Sequence, residues 1–178
     1  MQVNNCEFKA RATDLDRKEE KLLTLGAAFA GLDHQRDTYF RVPHGRLKLR
    51  EGNIEHALIH YDRANIAGIK ESRVILYRHA PDPALKEILI RQFGVLTVVN
   101  KHRKIYYLEN TKIHFDEVDL LGTFLEVEVM DTGSSRREDL QERCDYFAGF
   151  FEIGKEDFID ASYSDMTIAC MKGAEKPF

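Results

Sequence analysis

The chain has 178 residues, enough for one domain that buries its apolar surface without disulfides or structural metal, and residues 1–178 read as a single domain. Its 30 acidic residues outnumber 26 basic ones, and the net charge of -4 argues against a general nucleic-acid binder, whose footprint is a basic excess. Cys6, Cys144 and Cys170 are widely spaced with no CxxC pair, which argues against a disulfide framework or a zinc site. No apolar run is long enough to span a membrane and no basic-then-apolar leader opens the chain, so a cytoplasmic protein is expected.

Residues 4 to 12 alternate, with Asn5, Glu7, Lys9 and Arg11 on one face and Cys6, Phe8 and Ala10 on the other, as in a half-buried strand. Thr13 or Asp14 can cap a following helix whose Leu15, Leu22, Leu23, Ala27 and Phe29 form an apolar stripe until Gly31 ends it. A second strand is expected from about His34 to Val42. After the Pro43-His44-Gly45 turn, Arg46, Lys48 and Arg50 share one face of a third strand and Leu47 and Leu49 the other.

Ala57 to Arg63 reads as a fourth strand and Ser72 to His79 as a fifth, the latter apolar on both faces. Pro81 and Pro83 open a helix that runs to Phe93 and stops at Gly94, and a long strand follows from Val95 to Leu108 with Lys101 and Arg103 on one side. A turn at Glu109-Asn110 leads into a strand alternating Lys112, His114, Asp116 and Val118 with Ile113, Phe115 and Glu117. Leu121-Gly122 then turns the chain into Phe124 to Met130, which carries Glu126 and Glu128 on one face. A mixed-charge helix is expected from about Arg136 to Phe150, and a final short one near Tyr163 to Met171.

Eight strands with three or four helices predict an α+β domain dominated by one antiparallel sheet, one face of which is crowded with charge. The charges are sorted by strand: cations on Arg46 to Arg50 and Lys101 to Lys104, acids at Asp116, Glu117, Glu126 and Glu128. Periodicity alone leaves two readings open, an ordinary solvated face and a lined binding site.

Several segments in order resemble the CYTH domain family, which includes class IV adenylyl cyclases and triphosphatases. Asn5-Cys6-Glu7-Phe8-Lys9 is similar to its Glu-x-Glu-x-Lys signature, with Asn5 in place of the first Glu. Asp37-Thr38-Tyr39-Phe40, Leu47-Lys48-Leu49-Arg50, Leu58 to Arg63 with Lys70 and Ser72, Lys101-His102-Arg103, His114 to Val118, Leu121 to Glu128 and a closing Ser-Tyr-Ser segment extend the likeness over nearly the whole chain.

The resemblance implies a closed eight-stranded antiparallel β-barrel with flanking helices and a charged lumen that takes a triphosphate with Mg²⁺ or Mn²⁺. Carried over by position, Glu7, Asp116, Glu126 and Glu128 would ligate metal, as hard cations favour carboxylates. Lys9, Arg46, Lys48, Arg50, Arg63, Lys70, Lys101 and Arg103 would face the phosphates, Arg binding two oxygens at once and Lys acting as a point charge. Glu7, Lys9 and Arg63 would carry the catalytic roles. His114 draws no chemical role, and Asp37 or Glu128 could offset the charge lost at Asn5.

The activity implied is a metal-dependent triphosphatase acting on tripolyphosphate or an organic triphosphate such as ATP or thiamine triphosphate. A class IV adenylyl cyclase releasing cyclic AMP and pyrophosphate is the alternative within the same barrel, and Asn5 motivates a third reading, a non-catalytic nucleotide or polyphosphate sensor. The expected partners are triphosphate-bearing small molecules, without membrane or nucleic acid, and a homodimer is left open.

Overall fold

The structure, a computed structural model, describes residues 2–62, 68–131, 133 and 136–174. In chain order its elements are β1 (Gln2–Arg11), α1 (Leu15–Leu23), β2 (Ala28–Phe40), β3 (Arg46–Glu51), β4 (His56–Asp62) and β5 (Lys70–Arg78). They continue with α2 (Pro83–Phe93), β6 (Val95–Leu108), β7 (Thr111–Val118), β8 (Gly122–Met130), α3 (Arg137–Phe150) and α4 (Tyr163–Ala174). Every strand pairing is antiparallel, in the order β1-β5-β4-β3-β2-β6-β7-β8, and β8 pairs back onto β1, which makes the ring a closed barrel.

The strand periodicity decides what faces where. Glu7, Lys9, Lys48, Arg50, Lys101, Arg103, Glu126 and Glu128 point into the barrel. Phe8, Ala10, Ile113, Phe115, Leu125 and Val127 point outward into a buried core completed by Leu22 of α1 and by Cys144, Phe147 and Phe151 of α3 and its C-terminal cap. A second outer cluster packs Leu89 of α2 on Phe40 and Leu49. The domain is thus inside out relative to a simple sandwich, with the apolar core between sheet and helices and the charge in the lumen. No helix among the described residues is long and apolar enough to cross a membrane.

Two expectations are corrected. The first helix stops at Leu23, and Gly26, at φ +77°, makes the turn, so β2 starts at Ala28 rather than near His34. Leu22, Ala27 and Phe29 lie at spacings compatible with a helical stripe, but Ala27 joins the core across a turn and Phe29 stacks on Tyr106 of the paired strand, 4.9 Å between ring centroids. Gly31, at φ +137°, sits where the β2–β6 register shifts rather than at a helix end. β5 is not covered on both faces, because Ile75 and Tyr77 are exposed on the outside while Val74 and Leu76 line the interior.

Candidate functional site

A pocket of about 430 Å³ occupies the barrel interior. Its acidic arc is built by β1, β7 and β8. Glu126 and Glu128 are two apart on β8 and therefore project together, and Glu7 of β1 lies opposite Glu128 in the β1–β8 register. Asp116, fully buried, lies behind them: Arg103 donates to it twice, Nε to Oδ1 at 2.6 Å and Nη2 to Oδ2 at 2.5 Å, and Tyr163 donates its hydroxyl at 2.7 Å. Arg103 Nη2 also donates to Glu126 Oε2 at 2.5 Å, and Lys9 Nζ stands 3.3 Å from Glu126 Oε1 and 3.6 Å from the centroid of the Tyr163 ring.

The cationic arc is built by β2, β3 and β6. Asp37 is its common counterion, receiving Lys48 and Lys101 at 2.9 Å each and a two-point contact from Arg50 at 2.8 and 2.9 Å. Glu55, in the turn between β3 and β4, reaches into the same arc and accepts from Arg50 at 2.9 Å and Lys112 at 2.6 Å. That turn is held in place by Asp33 of β2, whose carboxylate accepts the backbone N–H groups of Asn53, Ile54 and Glu55.

The electrostatics follow from these contacts. Burial would raise Asp37, but Arg50, Lys101 and Lys48 outweigh it and hold the carboxyl well below its usual range. Burial also opposes charge on Glu126, and Lys9 and Arg103 overcome it to hold Glu126 ionised. Glu128 goes the other way: burial and the charge of Glu126 push it up to about 7. For His114, burial and then Arg103 lower the ring to about 3, so the imidazole is neutral.

Of the residues expected from sequence, Glu7, Lys9, Lys48, Arg50, Lys101, Arg103, Glu126 and Glu128 line one pocket. Asp116 belongs to it through Arg103 and Tyr163. Arg46 instead pairs with Asp165 of α4 at 2.7 Å, and Lys70 lies on β5 opposite Glu7 in the register. Arg63 lies outside the described residues. Asp37 sits among the cations, so it does not offset the missing charge of Asn5 on the acidic side.

Sequence reasoning passed over Glu55, Lys112 and Tyr163 and gave His114 no role. Lys112 and His114 shared the alternation of Asp116, a usable signal, whereas Glu55 lies in a turn with no periodicity to mark it.

The donor set suits a hard divalent cation. Asn5 Oδ1 and both ring nitrogens of His114 are buried without a hydrogen-bond partner, the kind of orphaned group a bound ion or ligand would satisfy. Glu126 and Glu128 complete a group of three with His114 whose ligand atoms all lie within 4.8 Å of one another.

An eight-stranded antiparallel barrel with helices outside is a fold shared with known proteins. The CYTH domain matches residues 4–163, and the chain belongs to that family. It is 25% identical over 171 residues to a Methanocaldococcus jannaschii protein named "Putative adenylate cyclase MJ0240", the match covering 90% of this chain and 96% of the relative. Among solved structures it is similar to the PH1012 protein of Pyrococcus horikoshii, with a TM-score of 0.76 and 25% identity over 93% of this chain and 98% of that one. A "putative adenylate cyclase" from Vibrio parahaemolyticus shares the fold at a TM-score of 0.75 and 19% identity, covering 92% and 97% of the two chains.

Proposed function

We propose that this protein is a divalent-metal-dependent triphosphatase that hydrolyses tripolyphosphate or an organic triphosphate inside the barrel. The observation that carries the reading is the separation of charge across one pocket, Lys48, Arg50 and Lys101 on one arc and Glu7, Glu126 and Glu128 on the other. A triphosphate with bound Mg²⁺ or Mn²⁺ is complementary to both arcs at once. Membership of a family that contains triphosphatases and cyclases supports the same chemistry.

In this reading Arg50 grips phosphate oxygens with its planar fork, and Lys48 and Lys101 add point charges around it. Lys9, held between Glu126 and the Tyr163 ring, is placed to neutralise the phosphoryl group under attack. Glu7, Glu126 and Glu128, with the amide oxygen of Asn5, would hold the metal, and Glu7 would orient the attacking water. When bound, the ion supplies charge neutralisation and lowers the cost of that attack. Water adds to the terminal phosphorus and loses a proton to solvent, the bond to the bridging oxygen breaks with its electron pair on the shortened phosphate chain, and orthophosphate and that chain leave. Arg63 retains the phosphate-facing role inferred from its sequence position.

A second reading, cyclisation of ATP, is favoured by the apolar stretch of the same pocket, where Ala57, Ile59, Val74 and Leu76 from β4 and β5 offer a surface suited to a base. Product analysis separates the two. The purified protein is incubated with tripolyphosphate, ATP or thiamine triphosphate and with Mg²⁺ or Mn²⁺, and phosphate, pyrophosphate and cyclic AMP are scored. Orthophosphate release supports the triphosphatase. Cyclic AMP with pyrophosphate replaces it with the cyclase, and saturable binding without turnover replaces both with a sensor.

A further inference from the structure

His114 is fully buried on β7, yet neither ring nitrogen has a hydrogen-bond partner. Its Nδ1 lies 3.6 Å from Glu126 Oε2 and 3.9 Å from Glu128 Oε1. These separations are too long for hydrogen bonds, which close near ~3 Å. They are what two donors sharing one ion would show, since bonds of about 2.1 Å to a common centre place ligand atoms roughly 3 to 4.2 Å apart. Glu126 Oε2 already accepts from Arg103, and a carboxylate oxygen has a second lone pair to offer.

The geometry points to His114 as a nitrogen ligand that joins Glu126 and Glu128 in a mixed imidazole–carboxylate site selective for a transition-series divalent cation over Mg²⁺. The inference rests on the metal-dependent reading of the barrel only in taking the two glutamates as ligands. Ligand chemistry gives the selectivity: an all-oxygen site suits Mg²⁺, whereas an imidazole adds affinity along the series from Mn²⁺ through Co²⁺ to Zn²⁺. Asp116, which the family resemblance placed among the ligands, has both carboxylate oxygens hydrogen-bonded, Oδ1 to Arg103 and Oδ2 to Arg103 and Tyr163, and His114 stands two residues before it on the same strand face.

The test uses the full-length protein with metal alone, without any phosphate compound. Mn²⁺ bound to the unaltered protein should show a ¹⁴N coupling from a directly bound imidazole in pulsed electron paramagnetic resonance. Calorimetry should give Co²⁺ and Mn²⁺ affinities at least about tenfold above that of Mg²⁺. His114→Gln should abolish the coupling and narrow the gap between Co²⁺ and Mg²⁺, with circular dichroism reporting whether the barrel is retained. Bound Mn²⁺ without nitrogen coupling, or no metal binding at all, overturns the inference, and the spectrum of the unaltered protein decides this even if the variant fails to fold. Triphosphate turnover is scored separately: Mg²⁺-supported turnover with oxygen-only Mn²⁺ coordination sinks the histidine ligand and leaves the proposed function standing, while nitrogen coupling without turnover does the reverse.

Discussion

Arg103 of β6 and Asp116 of β7 face each other in the strand register and are joined by two parallel hydrogen bonds, in a pair almost wholly withdrawn from solvent. Burial opposes charge on the guanidinium, and Asp116 and then Glu126 reverse this and drive it well above its ordinary value. Arg103→Met should therefore leave buried Asp116 without its paired cation and Glu126 with Lys9 alone, and cost about 3–5 kcal/mol of stability. Arg103→Lys should recover only part of that loss, because an ammonium cannot reproduce the two-point contact. Urea unfolding of the three proteins checks the ranking, and equal stability of Arg103→Met and the unaltered chain would refute it.

Asp37 plays the corresponding part on the other arc, as the shared counterion of Lys48, Arg50 and Lys101. Asp37→Asn should strand Lys48 and Lys101, leave Arg50 with Glu55 alone, and lower stability by about 3–5 kcal/mol. An anion that fills the arc should restore much of the loss by binding only the folded state. Thermal melts are expected to show tripolyphosphate raising the Tm of the variant more than that of the unaltered protein. An equal shift in both would show that the anion does not bind against these three side chains.

Glu55 competes for Arg50, the forked cation assigned to phosphate oxygens, and bridges it to Lys112 from the turn between β3 and β4. Those two contacts hold the carboxyl far below its ordinary value despite burial. Glu55→Gln, which keeps the shape and removes the charge, should tighten tripolyphosphate by about tenfold, near 1.4 kcal/mol. Calorimetric titration in Mg²⁺ reads this directly. Weaker binding in the variant would mean that Glu55 organises the cations rather than competing for them.

Opposed pH dependences are built into the acidic arc. Glu128 is raised from 4.5 to about 7, so the folded protein holds a proton that the unfolded chain gives up, and this contribution falls away as pH climbs from 4.5 to about 7. His114 is lowered from 6.5 to about 3, so its contribution is complete above 6.5 and lost as pH falls toward 3. Between 4.5 and 6.5 the two slopes of the metal-free protein oppose each other. Removing the first with Glu128→Gln should leave stability that increases with pH across this window, as read from urea midpoints. A declining midpoint in that variant would show that His114 is not held neutral.

Much of the barrel was legible because its strands alternate cleanly. Val95 to Leu108 was read to the residue, and period alone put the cations of β3 and β6, and the acids of β8, each on one face of its strand. What period could not say was whether that face was solvated or enclosed, since closure depends on β1 pairing with both β5 and β8, contacts between distant parts of the chain. The same limit hid Glu55, whose inward reach depends on Asp33 of another strand holding its turn. Around Leu22 to Phe29 the apolar spacing fitted both a helix and a turn into a strand, and pairing of β2 with β6 decided in favour of the strand. Arg103 was recognised as inward-facing but given to phosphate, because sequence could not show Asp116 opposite it in the register.

The central claim, that the barrel's cationic arc binds a triphosphate together with metal, is tested most directly by calorimetric titration of tripolyphosphate with Mg²⁺. The titration compares the unaltered protein with Lys48→Ala, whose side chain sits at the accessible edge of the arc. One saturable site is expected, weakened about tenfold or more in the variant, in keeping with the loss of a charged contact worth roughly 1.5–3 kcal/mol. Absence of saturable binding to the unaltered protein, or identical affinity in the two proteins, would contradict the account.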